Sequence, residues 1–258
     1  MSDSPHVIVT GASSGIGAGL AREFARAGAR LTLVARRGAP MRELLQATGA
    51  TGHVIEADLS QPEGVDTWLR EACSVLGEPD VLINNAGAQV VGATAKGDVE
   101  EGERTLRLNV FTPLRLVRAV LPGMLARRRG TIVNVASLAA LAPTLGMTYY
   151  NAAKAGLGAA SEALRGELRG SGVDVVTVYP GIIPTDMGKA GMAAYKPTLL
   201  LSLQPVGNVE ELARRVRGAV ERKQARVIYP GGANVLTRWL PPVTRWAMDH
   251  FTPPLAGG

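Results

Sequence analysis

His6-Val7-Ile8-Val9-Thr10-Gly11-Ala12-Ser13-Ser14-Gly15-Ile16-Gly17 is the stretch that decides the fold. Residues 6–9 form a short apolar run, and a helical pattern follows the glycines to about residue 27. Glycines between a strand and a helix let the backbone turn tightly and approach a pyrophosphate, whose charge a helix N-terminus favours. The spacing is Gly-x-x-x-Gly-x-Gly with Thr10 ahead of it, rather than the commoner Gly-x-Gly-x-x-Gly. Stripped of its flanks the stretch is a plain turn. With a strand before it and a helix after it, it reads as a dinucleotide site.

The chain keeps alternating after this opening. Strands are expected at 30–35, 53–57 and 80–84, and helices at 41–47 and 64–76. Such alternation indicates βαβ units, hence a doubly wound α/β fold of the Rossmann type, a parallel sheet with helices on both faces. Beyond residue 84 a helical pattern covers 102–128, with Asn109, Pro113 and Pro122 inside it. A strand at 131–136, a helix at 148–169 and a strand at 173–179 follow, then a helix at 208–222 and a strand at 226–229. No linker or repeat divides the chain, so residues 1–258 read as one domain.

Several strand ends carry polar or small residues, and open α/β sheets bind ligands at their C-terminal strand ends. The second strand ends in Leu33-Val34-Ala35-Arg36-Arg37. A carboxylate here would bond a ribose 2′-hydroxyl, whereas arginine suits a 2′-phosphate. Arg36 and Arg37 therefore point to NADP(H) over NAD(H), the other reading being a solvated turn. Asp58 follows the third strand and could accept a bond from an adenine amino group. Asn84-Asn85-Ala86-Gly87 closes the fourth, where small residues would let backbone pass close to a cofactor. Asp58 and Asn85 fit equally well as turn residues. The strand before Ser137 delivers it to the same edge.

Tyr150 and Lys154 stand four apart, on one face of the expected helix. A neighbouring ammonium favours the phenolate and lowers the phenol's pKa. Bringing it from ~10 to about 7 takes roughly 4 kcal/mol, at about 1.36 kcal/mol per unit, more than one surface cation supplies. A second positive charge nearby is expected. Two common residues at this spacing also arise in any amphipathic helix, and Asn109 fits an exposed surface position as well as a special one. The small residues Ala152, Ala153, Ala155, Gly156, Gly158, Ala159 and Ala160 make the helix smooth enough to pack against another subunit.

Residues 186–207 contain Met187, Met192, Tyr195 and Leu199 without clear periodicity, the pattern of a substrate lid. The tail, 231–258, carries Trp239, Leu240, Trp246 and Phe251 beside arginines. It is expected to fold over its own domain or a partner subunit, with membrane contact the less favoured use.

The totals agree with this picture. Across 258 residues, 46% hydrophobic content allows a large core, and 4% aromatics means that aliphatics fill it. The formal charge of +6 invites nucleic acid. Interspersed charges weigh against it, and the dense run Arg127-Arg128-Arg129 sits where a helix should end. Cys73 is the one cysteine, and His6, His53 and His250 are scattered, so neither a disulfide nor a metal site is expected. The sequence shows no signal peptide or apolar span, which makes the cytoplasm the default setting.

Together, Thr10-Gly11-x-x-x-Gly15-x-Gly17, Asn84-Asn85-Ala86-Gly87, Asn109, Ser137, Tyr150-x-x-x-Lys154 and Pro180-Gly181 resemble the short-chain dehydrogenase/reductase family, in its compact single-domain branch. The resemblance covers roughly residues 6–229. It implies hydride transfer between a nicotinamide cofactor and a carbonyl or secondary alcohol. Tyr150 would be the acid/base, Ser137 would bond the substrate oxygen, and Asn109 would support a water-linked proton path to Lys154. Lys154 would hold the nicotinamide ribose and lower the Tyr150 pKa, with the cationic oxidised ring sharing that task. Cofactor contacts would come from Thr10, Gly11, Ser13, Ser14, Gly15, Ile16 and Gly17 in the first loop. Arg36, Arg37, Asp58, Leu59, Asn85, Ala86 and Gly87 would add theirs from the next strand ends. Pro180, Gly181, Ile183 and Thr185 would complete the set, with Thr185 on the carboxamide. A hydrophobic ketone or aldehyde is the expected substrate, and a homodimer or homotetramer the expected assembly. The competing use of the same fold is a cofactor-binding sensor or scaffold without useful catalysis.

Overall fold

The computed structural model describes residues 4–197 and 204–231. The strands are β1 (His6–Thr10), β2 (Arg30–Ala35), β3 (Gly52–Glu56), β4 (Val81–Asn84), β5 (Gly130–Val135), β6 (Val173–Pro180) and β7 (Arg226–Tyr229). They form one seven-stranded sheet in the order β3-β2-β1-β4-β5-β6-β7, and every pairing is parallel. The helices are α1 (Gly15–Arg26), α2 (Ala39–Thr48), α3 (Val65–Leu76), α4 (Val99–Leu106), α5 (Thr112–Ala126), α6 (Thr148–Glu167), α7 (Asp186–Ala193) and α8 (Val209–Glu221).

Side chains alternate across a strand, so β1 feeds two cores. Val7 and Val9 pack with Leu31 and Leu33 of β2 against Leu20 and Phe24 of α1 and Leu212 and Val216 of α8. Ile8 points to the other face, with Leu82 and Ile132, against Trp68 of α3 and Leu116, Val120 and Met124 of α5. Burial on both faces is why these strands read as unbroken apolar runs. The chain winds outward from β1 to β3 and then crosses back to β4 on the other side of β1. This reversal opens a crevice beyond the C-terminal ends of β1 and β4, the usual ligand position in such sheets.

Two segments depart from the sequence expectation. The pattern over 102–128 forms not one helix but α4, a π-helical turn at Arg107–Phe111, and α5. The Asn109 amide donates to the Thr105 carbonyl (2.8 Å), taking an acceptor that an α-helix gives to backbone, and Pro113 has no N–H to continue the ladder. Asn109 is fully buried, so the surface reading is excluded. The stretch 186–207, expected as an irregular lid, is also not irregular throughout, since Asp186–Ala193 forms α7 with Thr185 as its cap, accepting from Gly188 N at 3.1 Å. Its far side is tied back by Gly207 N donating to the Ile182 carbonyl at 2.8 Å.

Of the small residues on α6, Ala152, Ala155, Gly156 and Ala159 are exposed and Ala160 is half-buried, whereas Ala153 and Gly158 face inward and are buried in this chain's own fold. The arginine run past α5 is taken up locally, Arg127 by Glu78 and Arg129 by Asp80. Among the described residues no helix is long and apolar enough to cross a membrane, and no cluster could hold a metal ion. The tail expectation, with its aromatic residues from Trp239 to Phe251, lies outside the described residues, as do residues 198–203 of the segment expected as a lid.

Candidate active site

A cleft of about 970 Å³ runs along the C-terminal edge of the sheet. Gly11, Ser13, Ser14, Gly15, Ile16 and Gly17 line it, as do Arg36, Arg37, Asp58, Leu59, Asn85, Ala86 and Gly87. So do Asn109, Ser137, Tyr150, Lys154, Pro180, Gly181, Ile183 and Thr185. Of the catalytic and cofactor-contact residues expected from sequence, Thr10 alone is missing from this lining. It is buried, and its hydroxyl accepts from Asn85 N (3.0 Å) and Ala86 N (3.1 Å) while donating to the Ile83 carbonyl (3.2 Å). The Asn85 amide returns a bond to the Thr10 carbonyl at 2.9 Å. Thr10 is therefore a brace between the ends of β1 and β4, and Asn85 is in part the same brace.

The glycine loop suits a pyrophosphate. Gly11 has φ +68, and a Cβ there would meet Ala86 Cα at 2.8 Å. A Cβ on Gly17 would meet the Gly11 carbonyl oxygen at 2.2 Å, so α1 starts hard against the loop because neither residue has a side chain. Ser14 makes no side-chain cap and the first turn of α1 has no acidic residue, which leaves its N–H groups to an anion.

At the middle of the cleft, β5 delivers Ser137 and α6 delivers Tyr150 and Lys154. Ser137 caps a short 3-10 turn, its Oγ accepting from Ala139 N at 3.1 Å, and its side chain also hydrogen-bonds the Tyr150 phenol. Lys154 is buried, donates to the Val135 carbonyl at 2.9 Å, and lies 5.9 Å from the centre of the Tyr150 ring. Burial without a paired anion lowers its pKa to about 8. The Tyr150 phenol is pushed above its ordinary value by burial, with the Ser137 bond pulling the other way. Desolvation of the phenolate thus outweighs the Ser137 bond. Asn109 donates to the Ala88 carbonyl (2.9 Å) as well as to Thr105, yet its buried Oδ1 has no partner. A Cβ on Gly87 would come within 2.6 Å of that Oδ1 and 3.4 Å of Lys154 Nζ, so one bare glycine adjoins both groups. A buried unpartnered acceptor costs about 1–3 kcal/mol, which marks this spot as built for a further donor.

Behind these side chains runs a buried polar chain, from Asn84 Nδ2 to Asn134 Oδ1 (2.8 Å) and from Asn134 Nδ2 to Ser161 Oγ (2.8 Å). It ties β4 to β5 and β5 to α6, the elements that carry Asn85, Ser137 and Tyr150.

At one end of the cleft lie Arg36 and Arg37, both exposed, with Arg37 reaching Ser13 Oγ at 3.4 Å. Asp58 is held by Ser60 and by Arg104, a residue of α4 that sequence reading passed over. At the other end the walls are Leu138, Ala142, Met147, Met187, Met192 and Tyr195, with Gln89 among them. Gln89 donates to Met147 Sδ at 3.2 Å, and Tyr195 is buried with its hydroxyl on the Leu145 carbonyl at 2.6 Å. That bond ties the chain just after α7 to the loop before α6. Gln89 and Met147 had no sequence signal beyond their nearness to Gly87 and Tyr150.

Comparison with known proteins gives consistent results. A family model described as short chain dehydrogenase matches residues 5–196. A 3-oxoacyl-(acyl-carrier-protein) reductase of Pseudomonas aeruginosa is 36% identical over 81% of this chain and 87% of its own. A ketoacyl reductase of a Nostoc strain is 32% identical over 86% of this chain and 77% of its own. Among solved structures, a short-chain dehydrogenase from Sphingobium yanoikuyae in complex with NADPH superposes with a TM-score of 0.78 at 33% identity, covering 96% of each chain. A bulky-bulky ketone specific alcohol dehydrogenase from Comamonas testosteroni gives 0.77 at 33% identity, covering 97% of this chain and 96% of that one.

Proposed function

Because the chain belongs to the short-chain dehydrogenase family of oxidoreductases, which use nicotinamide cofactors, we propose that it is an NADP(H)-dependent reductase of hydrophobic ketones or aldehydes. The observation that carries this reading is the convergence of Asn109, Ser137, Tyr150 and Lys154 in one cleft with the bare glycine cradle and the arginines after β2. A binding protein has no need of all four polar groups.

The bound cofactor supplies the hydride. The glycine loop and the N-terminus of α1 hold its pyrophosphate, Arg36 and Arg37 its 2′-phosphate, and Lys154 its nicotinamide ribose. Tyr150 and Ser137 bond the carbonyl oxygen of the substrate. A phenol whose pKa lies above its ordinary value is protonated at neutral pH, so Tyr150 donates its proton to that oxygen as the alcohol forms. Asn109 Oδ1, beside Lys154 across Gly87, supports the path by which Tyr150 regains a proton. The absence of a carboxylate from Leu33 to Arg37 supports NADP(H), as does the NADPH complex of the Sphingobium relative. The methionine-lined end of the cleft supports a bulky apolar substrate, since thioether side chains adapt to varied shapes. The exposed small-residue stripe on α6 is assigned to a homodimer or homotetramer, which light scattering tests.

NADPH oxidation measured against a panel of bulky ketones and aldehydes tests the whole reading. Tyr150→Phe should lose about 10²–10⁴-fold in kcat while binding NADPH as the wild type does. Near-normal kcat in Tyr150→Phe would refute the assignment, and no turnover of any carbonyl by the wild type would favour a sensor instead.

A further inference from the structure

Asp58 sits within the electrostatic reach of two arginines, and the structure joins it to one of them. Arg104 Nη2 lies 3.3 Å from Asp58 Oδ2, while Arg104 Nε donates to Ser60 Oγ at 3.1 Å. The other carboxylate oxygen, Oδ1, accepts from Ser60 N (2.9 Å) and Ser60 Oγ (2.8 Å). Arg36 makes no hydrogen bond or ion pair with any of the described residues, although Arg36, Arg104 and Asp58 all line the cleft. Burial of the Asp58 carboxyl raises its pKa, but the Ser60 bonds and the charges of Arg104 and Arg36 outweigh that and hold it below the ordinary value. The carboxylate is therefore ionised at neutral pH, and it needs a cation.

We infer that Arg104 is a positioning residue for cofactor selection: by occupying Asp58 it leaves Arg36 free for the phosphate on the adenosine ribose. This rests on the NADP(H) reading above. A guanidinium beside an unpaired carboxylate closes into a charge-assisted pair, and Arg36, which lines the same cleft, is the other cation whose charge acts on Asp58. With Arg104 gone, Arg36 turns to Asp58, and the phosphate loses its partner. NADH carries no 2′-phosphate, so its affinity does not depend on where Arg36 points. The side chain of Asp58 is 33% exposed and that of Arg104 51%, so solvent screens the pair and the effect is moderate.

Titration calorimetry of NADPH and NADH against the purified protein tests this without turnover. Arg104→Gln should weaken NADPH about fivefold more than NADH, the worth of a favourable exposed ion pair, because any change at the adenine falls on both cofactors alike. The NADH affinity also reports that the variant is folded. Adding Asp58→Asn to Arg104→Gln removes the competing anion, so the NADPH-to-NADH ratio should return to that of the wild type. A merely structural role for Arg104 would show no such rescue. A wild type that prefers NADPH while Arg104→Gln keeps the same ratio, or a double variant without rescue, overturns the inference alone. A wild type that binds both cofactors equally overturns the NADP(H) reading and this inference with it.

Discussion

Thr10→Val tests the brace at the mouth of the cleft. Valine keeps the shape and the β-branch of threonine but removes the oxygen that accepts from Asn85 N and Ala86 N and donates to the Ile83 carbonyl. Thr10 is 2% exposed, so water cannot readily replace that oxygen. Each stranded backbone N–H costs about 1–3 kcal/mol. Asn85 and Ala86 are only partly buried, which lowers the sum for the two to about 2–4 kcal/mol. For a domain of this size that corresponds to a Tm lower by roughly 5–15 °C. The loop at Asn85–Gly87 lines the cleft, so NADPH affinity should fall alongside stability. Urea and thermal unfolding followed by circular dichroism measure the first effect, and calorimetric titration the second. Thr10→Ser keeps the oxygen and should retain most of the stability. A valine variant within about 0.5 kcal/mol of the wild type, the scatter of an ordinary surface change, would refute the reasoning. So would a serine variant as unstable as the valine one.

Three other outcomes are expected. Arg36→Asp should weaken NADPH at least tenfold and bring NADH affinity level with or above it, because a carboxylate repels a 2′-phosphate and accepts from a 2′-hydroxyl; unchanged preference would remove Arg36 from the site. Lys154 has a pKa of about 8, so NADPH affinity measured by fluorescence titration should decline as pH rises through that value and the ammonium is lost. Lys154→Gln should abolish this decline, and an unchanged pH profile in the variant would exclude Lys154 as its source. Burial holds the His6 imidazole below its usual 6.5, although the bond to the Gly77 carbonyl raises it. The unfolded chain therefore binds the His6 proton first, so stability is full above pH 6.5 and falls as pH drops below it towards the folded pKa. Urea midpoints at pH 7.5 and 5.5 should show the loss, and His6→Gln should reduce it; an equal slope in the variant would clear His6.

The layered α/β fold was legible because its strands are buried on both faces and so appear as apolar runs, with glycines and helical periods between them. The segments that were misread are those in which local preference is weak. Asp186–Ala193 contains Gly188 and Gly191, poor helix formers, and becomes a helix through the Thr185 cap and its packing beside Gln89. The π turn at Arg107–Phe111 depends on Asn109 reaching Ala88, twenty-one positions away, as well as Thr105 in its own helix. No helical period contains that information.

The candidate site divides in the same way. Residues whose chemistry is local could be read from spacing: the glycine loop, whose backbone must turn, and Tyr150 with Lys154, which any helix stacks on one face. That the arginines at the end of β2 line the cleft could be read because strand ends face ligands in this kind of sheet. Direction and partner are tertiary properties. Thr10 stands next to the glycines in sequence, but the parallel pairing of β1 with β4 turns its hydroxyl to Asn85 and Ala86, away from the cleft. Arg104 is an ordinary helix residue until α4 carries it to Asp58, forty-six positions earlier. The Tyr150 pKa follows the same logic: sequence places the phenol on the helix, while the desolvation that raises its pKa arises only where the fold sets it in the cleft. Periodicity and spacing record what a residue does to its own backbone. Burial and long-range pairing, which set charge and orientation in the site, exist only once distant segments meet.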